Sequence, residues 1–569
     1  MDKGSRGSKV FSAVIVLMLG VGRVGNAQPT VNPPPQETGF LQENFRFSGE
    51  LGTYGELYSI KGLTARRPPS TGRLFFRPTM VLFNALTLNF DFILSTEGSG
   101  ARQDINQFGL HPSWSWGRGH IGDFTESYSD YTLSGILIRG AAVTINPGLV
   151  RFSALGGFTK RAVFGGADNG AYDRYLYGAK LGFGTDAGGF VDLMFLRVRD
   201  EISSLPSQTT TPVIDTLNPA ATPIRQFEVT PQENLIAGII SSVNFLDNQV
   251  SWRLEATGSL FTRDMRVAAD TTLKLPGFLK NIYRANVTSN VDLAVVTDVN
   301  VNVDFVNVRA GYKYIGPGYN SLGVASLLND QQEFSLAPSF RVADWSVSLS
   351  WTRQNDNLLS QKLHTTVRNM YGANVSFRAT AIWTTTIFAN FLTMGNSAPN
   401  DTLRIDFTNF TLGTTQILTF AQDALFQNVM VNYVLQTSGD NSPLRTNTKS
   451  TTHSGTISTM IPVGESFSIS PSAGLVHTKV ALLRAQTIQT YGVSLLHRAL
   501  ENKLSTTLAS TVSILGTANS YRNTLTSSYQ LTASMSTALS VSMMNFRGNP
   551  QTGGKFDEYT GALTVSYRF

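Results

Sequence analysis

Apolar and polar residues alternate with a period of two along most of this chain. The segment 345–351 reads Trp-Ser-Val-Ser-Leu-Ser-Trp, and the segments 86–94 and 306–314 follow the same alternation. Because successive side chains of a β-strand point to opposite faces, this period predicts strands with one apolar and one polar face. The polar positions are mostly Ser, Thr, Asn and Gly, whereas the outer face of a soluble β-sandwich, the alternative interpretation, should be charged.

The last eleven positions carry the clearest strand of the chain. Residues 559–569 read Tyr-Thr-Gly-Ala-Leu-Thr-Val-Ser-Tyr-Arg-Phe. The apolar positions of this segment share one face, and the last of them, Phe569, bears the carboxylate. An apolar face that ends in an aromatic residue is typical of the strand that closes an outer-membrane β-barrel. The alternative interpretation is an edge strand of a soluble sandwich.

Composition supports a membrane barrel. Charged residues make up only 15% of the 569 positions, against about 25% in soluble proteins. No apolar run after residue 27 is long enough to span a bilayer as a helix, and a membrane protein without such helices must be a closed barrel, since its backbone groups need partners. We therefore predict an all-β fold, a transmembrane antiparallel β-barrel of about 22–26 strands. Short periplasmic turns are expected at 83–85 and 246–248, and long extracellular loops at 201–226, 314–331, 396–404 and 438–453.

The first 39 residues have the pattern of a signal peptide followed by a short leader. Lys3, Arg6 and Lys9 precede the apolar stretch 10–21, and Gly25-Asn26-Ala27 offers small residues for cleavage before Gln28. We therefore expect a signal peptide at 1–27. A Pro-rich periplasmic leader follows at 28–39 and the barrel at 40–569. The leader is too short for a plug domain, which argues against a TonB-dependent transporter.

Aromatic residues on the apolar faces predict contact with outer-membrane lipid. Trp345 and Trp351 lie six positions apart, or about 20 Å along a strand. This distance is close to that between the two aromatic girdles of a barrel whose apolar band is about 25 Å tall. With Tyr567 and Phe569, these residues are the predicted aromatic girdle.

Charged residues within the strands are expected to face the lumen or to lie near an interface. Each would cost up to about 2–4 kcal/mol if it faced lipid at mid-depth. Rings of charge select solutes in pores, but cross-strand ion pairs can equally brace the wall, so both roles stay open. The candidate lumen charges are Arg46, Glu50, Asp91, Asp292, Asp304, Arg309, Lys313 and Arg568.

The sequence predicts no catalytic, cofactor or metal site. The six histidines show no Ser and Asp partners in a triad pattern, and no Cys is present for thiol chemistry or disulfides. His111, His120 and Asp123 could bind zinc. Beside Trp114 and Trp116, the histidines are better interpreted as interfacial residues. The net charge of +6 comes without a basic cluster interleaved with aromatics, so no nucleic-acid partner is expected.

The block 106–163 resembles a known family. It contains Asn-Gln-Phe-Gly-Leu-His-Pro-Ser-Trp-Ser-Trp at 106–116, a Gly-His-Ile-Gly stretch at 119–122, Ser-Asp-Tyr-Thr-Leu-Ser-Gly at 129–135 and a Pro-Gly turn at 147–148. These motifs resemble uncharacterised Bacteroidota-type outer-membrane β-barrels, which are porin-like and lack a plug domain. The resemblance implies the fold and the outer membrane, without a substrate. In outer-membrane barrels the terminal strand is also the signal for the barrel-assembly machinery, here Leu563, Val565, Tyr567 and Phe569.

Passage through the outer membrane is the leading expectation for function. The barrel is expected to act as a wide pore for small hydrophilic solutes or as the outer-membrane part of a transport system. Alternatives are a surface-interaction or receptor barrel whose long loops bind a partner, and a partner-gated secretion translocon. The loop 201–226 is compatible with each, and conductance in planar bilayers discriminates among them.

Overall fold

The computed structural model describes residues 44–97, 106–163, 170–205, 229–269, 276–421, 424–548 and 554–569. The predicted signal peptide and Pro-rich leader lie outside these residues, as does most of the predicted loop 201–226. Within the described ranges, no helix is long and apolar enough to cross a membrane.

Twenty-six strands make up most of the described chain. The first nine are β1 (Phe45–Lys61), β2 (Ser70–Leu82), β3 (Leu86–Ser95), β4 (Gln107–Trp114), β5 (Gly117–Thr125), β6 (Leu137–Ile145), β7 (Val150–Lys160), β8 (Arg174–Thr185) and β9 (Gly189–Asp200). The next nine are β10 (Glu233–Phe245), β11 (Val250–Thr262), β12 (Ser289–Val303), β13 (Val306–Ile315), β14 (Gln331–Val342), β15 (Trp345–Asn355), β16 (Thr366–Thr380), β17 (Trp383–Asn396) and β18 (Asp406–Thr419). The last eight are β19 (Asn428–Asp440), β20 (Ser450–Val463), β21 (Phe467–Val480), β22 (Gln486–Ala499), β23 (Leu504–Leu515), β24 (Ala518–Gln530), β25 (Met535–Arg547) and β26 (Lys555–Arg568). Short helical segments lie at Ile202–Ser204, Gly277–Lys280 and Thr446–Thr448.

The sheet closes on itself. Each strand pairs antiparallel with the next, and β1 pairs with both β2 and β26. At the seam, the Gly49 N–H donates to the Phe569 carbonyl at 2.9 Å and the Phe569 N–H donates to the Gly49 carbonyl at 3.1 Å. The prediction of an antiparallel barrel of 22–26 strands closed by the last strand is therefore confirmed.

The two rims of the barrel are built differently. Both described chain ends lie on one rim, the terminal rim, where the connections include 83–85, 246–249 and 304–305. Phe83 and Asn84 have φ of 53° and 50°, the positive values that tight hairpin turns require. The opposite rim carries longer connections such as 263–288 and 316–330.

The two faces of the sheet differ in what covers them. Leu181 and Phe183 of β8 are 58% and 63% exposed, whereas Leu176 of the same strand is fully buried. Residues paired across strands share a face, and the register places Leu196 and Ile236, which are also fully buried, on the side of Leu176. The buried side is covered by parts of the chain itself, so it is the lumen, and the exposed apolar side is the outer face.

Candidate functional site

Among the described residues, segments of the chain cover the interior of the barrel along one wall. Two connections of the opposite rim fold inward against the wall formed by β5–β13, and we name them inward loop 1 (126–136) and inward loop 2 (316–330). One core cluster joins inward loop 1 to the inner face of this wall. Its members are Phe124, Tyr128, Leu133, Ile138, Ala142, Leu155, Leu176, Met194, Leu196, Val198, Ile236 and Ile240.

Inward loop 1 is held by its own turn and by its apolar side chains. The Tyr128 N–H donates to the Leu133 carbonyl at 3.0 Å, and the Leu133 N–H donates to the Ser129 carbonyl at 3.2 Å. Leu133 is 0% exposed. Burial raises the pKa of Tyr128 to about 12, with Glu126 acting in the same direction and the hydrogen bond to Ser153 opposing it. The loop is therefore a packed part of the wall.

Inward loop 2 is tied to inward loop 1 by several hydrogen bonds. The Tyr319 hydroxyl donates to the Tyr131 carbonyl at 3.0 Å, and the Ser321 hydroxyl donates to the Thr132 carbonyl at 2.8 Å. A parallel bridge joins Ser134 to Val324. At Gly323 a Cβ would lie 2.5 Å from the Thr132 carbonyl oxygen, so this close approach needs glycine. The two loops consequently form a single body on the wall.

The facing wall, β15–β25, has no such cover among its described residues. From 331 to 569 the only buried hydrophobic residues in the described ranges are Ala398 and Ala518. The register continues the inner face through hydroxyl and amide side chains, joined by contacts such as Thr415–Asn432 at 2.7 Å and Thr386–Ser376 at 3.1 Å. This wall presents an accessible polar surface with few charges to the lumen.

A mixed-charge cavity lies where inward loop 1 meets the inner face of β11–β14. Arg309 pairs with Asp298 at 3.4 Å, and Lys313 pairs with Glu333 at 3.0 Å. The remaining charged lining residues are Asp130, Arg253 and Glu255. Charges of both signs are therefore concentrated on the covered wall.

The structure brings some of the candidate lumen charges together and separates others. Arg309 and Lys313 line the mixed-charge cavity. Asp292 accepts a hydrogen bond from the Gly318 N–H at 2.7 Å and so supports inward loop 2. Asp304 lies in the turn at 304–305 on the terminal rim, with φ of 44°.

The other four candidate charges lie near the seam. Asp91 pairs with Arg77 at 2.9 Å, and Glu50 lies between Arg77 and Arg568 as cross-strand neighbour of both. The strand alternation places Arg46 on the same inner face as Glu50. This group is separate from the mixed-charge cavity.

The sequence did not indicate which residues of inward loop 1 and β11 line the mixed-charge cavity. Residues 129–135, one of the motifs that carry the family resemblance, lie outside the strands, in inward loop 1. Asp130, Tyr131 and Glu255 consequently had no predicted role. The polar loop predicted at 314–331 was the available signal for inward loop 2, but its polarity also fits a loop in solvent.

The three residues considered for zinc, His111, His120 and Asp123, make separate contacts. His111 and His120 contact each other through their Nδ1 atoms at 2.9 Å. Asp123 instead accepts two hydrogen bonds from Arg139, at 2.7 and 3.0 Å, and one from the Phe108 N–H. No group of three or more His, Cys, Asp or Glu residues with metal-binding geometry is found in the described part of the chain.

The outer face is apolar over many strands. Trp345 stacks on Phe377 with a ring-centroid distance of 4.2 Å, and the register places Trp351 on the same outer face. Tyr567 is 45% exposed there, and Phe569 packs beside it. A closed sheet with a water-accessible polar interior and an exposed apolar exterior needs lipid around it. The protein is an outer-membrane β-barrel.

Comparisons with known proteins assign this barrel no family. No family model and no curated protein matches the chain. It is similar to the siderophore receptor PirA from Pseudomonas aeruginosa, with 10% identity and a TM-score of 0.38 over 92% of this chain and 80% of that one. It is also similar to the translocation pore of the P pilus usher PapC (11% identity, TM-score 0.34, 92% of this chain and 99% of that one). A third similar structure is OccAB2 from Acinetobacter baumannii (8% identity, TM-score 0.30, 60% of this chain and 93% of that one). Similarities at this level do not indicate which solute or substrate the barrel carries.

Proposed function

We propose that this outer-membrane barrel is a wide, water-filled channel for small hydrophilic solutes, with a passage function and no catalytic one. Twenty-six strands spaced about 4.8 Å apart and tilted by about 40° would give a circular barrel roughly 50 Å in diameter. Side chains alone do not fill a lumen of that width. The inward loops reduce the lumen from one side.

The observation that carries this proposal is the inner face of β15–β25, which no described segment covers. Its Ser, Thr and Asn side chains are accessible along strands whose other face is apolar. A wall that faced a packed plug would instead be buried and apolar, like the wall covered by inward loop 1. The hydroxyl and amide groups can replace part of the hydration of a polar solute as it passes.

Single-channel recording of the purified full chain in planar bilayers tests the proposal. We expect steady, large channels. Replacing 127–135 with a short Gly-Ser linker should raise the conductance, because inward loop 1 no longer narrows the lumen. The matched control replaces 399–403, a connection on the same rim above the uncovered wall, and should leave the conductance near that of the parent protein.

A silent barrel would contradict the channel and favour a surface-interaction protein or a partner-gated translocon. Liposome swelling with sugars of increasing size gives an independent measure. The parent protein should admit small sugars, and the 127–135 replacement should admit larger ones. Equal size limits for the two proteins would show that inward loop 1 does not restrict passage.

We also propose that Leu563, Val565, Tyr567 and Phe569 form the signal for the barrel-assembly machinery. The register supports this assignment, because Leu563, Val565 and Tyr567 of β26 pair with β1 at the closing seam. We further propose that the chain is related to the porin-like Bacteroidota-type barrels that the block 106–163 resembles.

A further inference from the structure

The mixed-charge cavity has the size of a small-molecule subsite. It has a volume of about 250 Å³ and opens on the lumen between inward loop 1 and the inner face of β11–β14. Pockets for drug-sized ligands occupy about 300–1,000 Å³. A cavity just below that range suits a small solute on its way through the channel.

The charges of the cavity are unevenly paired. Its lining holds four carboxylates, those of Asp130, Glu255, Asp298 and Glu333, and three basic groups, those of Arg253, Arg309 and Lys313. Asp298 and Glu333 are engaged by Arg309 and Lys313. Two carboxylates, those of Asp130 and Glu255, then face one basic group, that of Arg253.

Glu255 is the most unusual of these residues. It is only 4% exposed, and Ser129 of inward loop 1 lies beside its carboxylate. Its Oε1 atom has no hydrogen-bond partner among the described residues. Because an unpaired buried carboxylate is costly, such a group favours a cation beside it.

Tyr131 lies among the carboxylates of the cavity. Burial raises the pKa of Tyr131 to about 12, and the carboxylates of Glu255, Asp130, Glu333 and Asp298 all act in the same direction. Carboxylates are therefore the main charges that act on this phenol. An aromatic ring beside carboxylates also offers a cation a face to lie against.

We propose that this cavity is a subsite for a small organic cation, a solute with a primary ammonium or guanidinium group held by Glu255 and Asp130 against Tyr131. The proposal rests on the channel function and names a class of solute for it. Arg253 lies at the same site and can donate hydrogen bonds to a carboxylate or hydroxyl group of the same solute.

Binding of 1,5-diaminopentane to the detergent-solubilised full chain, measured by titration calorimetry, tests the subsite. We expect saturable binding that weakens with salt, and none of the neutral 1,5-pentanediol. Glu255→Gln and Asp130→Asn should each weaken binding roughly tenfold to a hundredfold, since each removes a charged partner. The matched control Asp91→Asn, which removes a luminal carboxylate outside the cavity, should bind like the parent protein.

Unchanged binding in both cavity variants would overturn the subsite, as would equal binding of the diol. If Glu255→Gln does not fold, Asp130→Asn decides, because that residue is exposed on inward loop 1. Binding in detergent together with silent bilayers would support the subsite and contradict the channel. Open channels that neither bind the diamine nor are blocked by it would support the channel and contradict the subsite.

Discussion

The Tyr319 hydroxyl donates a hydrogen bond to the Tyr131 carbonyl at 3.0 Å and so joins two loops that lie 188 positions apart in the chain. Thr257 Oγ1 of β11 lies 2.9 Å from the same hydroxyl. Tyr319 is 0% exposed, and its burial raises its pKa, so the hydroxyl stays protonated and able to donate. This residue therefore fastens inward loop 2 both to inward loop 1 and to the wall.

Tyr319→Phe should loosen both inward loops without unfolding the barrel. The change removes two hydrogen bonds and leaves the Tyr131 carbonyl unpaired, at a cost of about 1–3 kcal/mol in the docking of the loops. Hydrogen exchange should become faster in 126–136 and 316–330, while the strands keep their protection. Tyr521→Phe, on the exposed outer face, is the control. Unchanged exchange in both loops would show that the hydroxyl does not hold them.

Phe569→Ala should weaken the closing seam. The Phe569 ring packs 5.1 Å from the Phe47 ring and 6.1 Å from the Phe76 ring, measured between centroids. Two such aromatic contacts are worth about 1–3 kcal/mol together. We expect a loss of this size in the free energy of unfolding by urea in lipid vesicles.

The same variant tests the assembly signal. Insertion into vesicles that contain the barrel-assembly machinery should slow more than spontaneous insertion into vesicles without it. Phe426→Ala, in the connection 420–427 on the same rim, is the control for removal of an exposed aromatic residue. Equal slowing in both kinds of vesicle would restrict Phe569 to a packing role.

The link between inward loop 2 and the connection 356–365 should depend on pH. Burial alone would raise the pKa of Asp330, but hydrogen bonds from Lys362 and from the N–H groups of Leu358 and Asn357 outweigh it and hold the pKa below its ordinary value of 3.8. The hydrogen bond to Asp330 in turn raises the pKa of Lys362 above 10.5, with the charge of Asp356 adding to it.

A depressed acid pKa contributes stability above its unfolded value, and this contribution is lost as the pH falls through the folded pKa. The link should therefore persist at neutral pH and fail below pH 3.8. At the alkaline end it should fail only as the pH rises through the raised pKa of Lys362. Protection factors for 356–362 across the pH range check both limits. In Asp330→Asn the acid transition in this segment should disappear, and its persistence there would assign it to another group.

The strands and their two faces could be predicted from the sequence, because side-chain direction in a strand is a local property with a period of two. The alternation at 345–351 and 559–569 was sufficient to predict the barrel and its closing strand. The inward loops could not be predicted in this way. Residues 126–136 and 316–330 have the Ser, Thr, Asn, Gly and Tyr content of ordinary loops, and such residues fit both solvent and a polar lumen.

The alternation in the sequence is therefore sufficient to predict a transmembrane barrel and the positions that face lipid or water. The folded chain alone reveals that its described segments cover one wall and leave the facing one accessible, and that Asp130, Tyr131 and Glu255 meet in one cavity. The reason is physical. Alternation is set by neighbouring residues, whereas the cavity depends on contacts such as that between Tyr131 and Tyr319, which form only after the closed sheet has brought distant loops together.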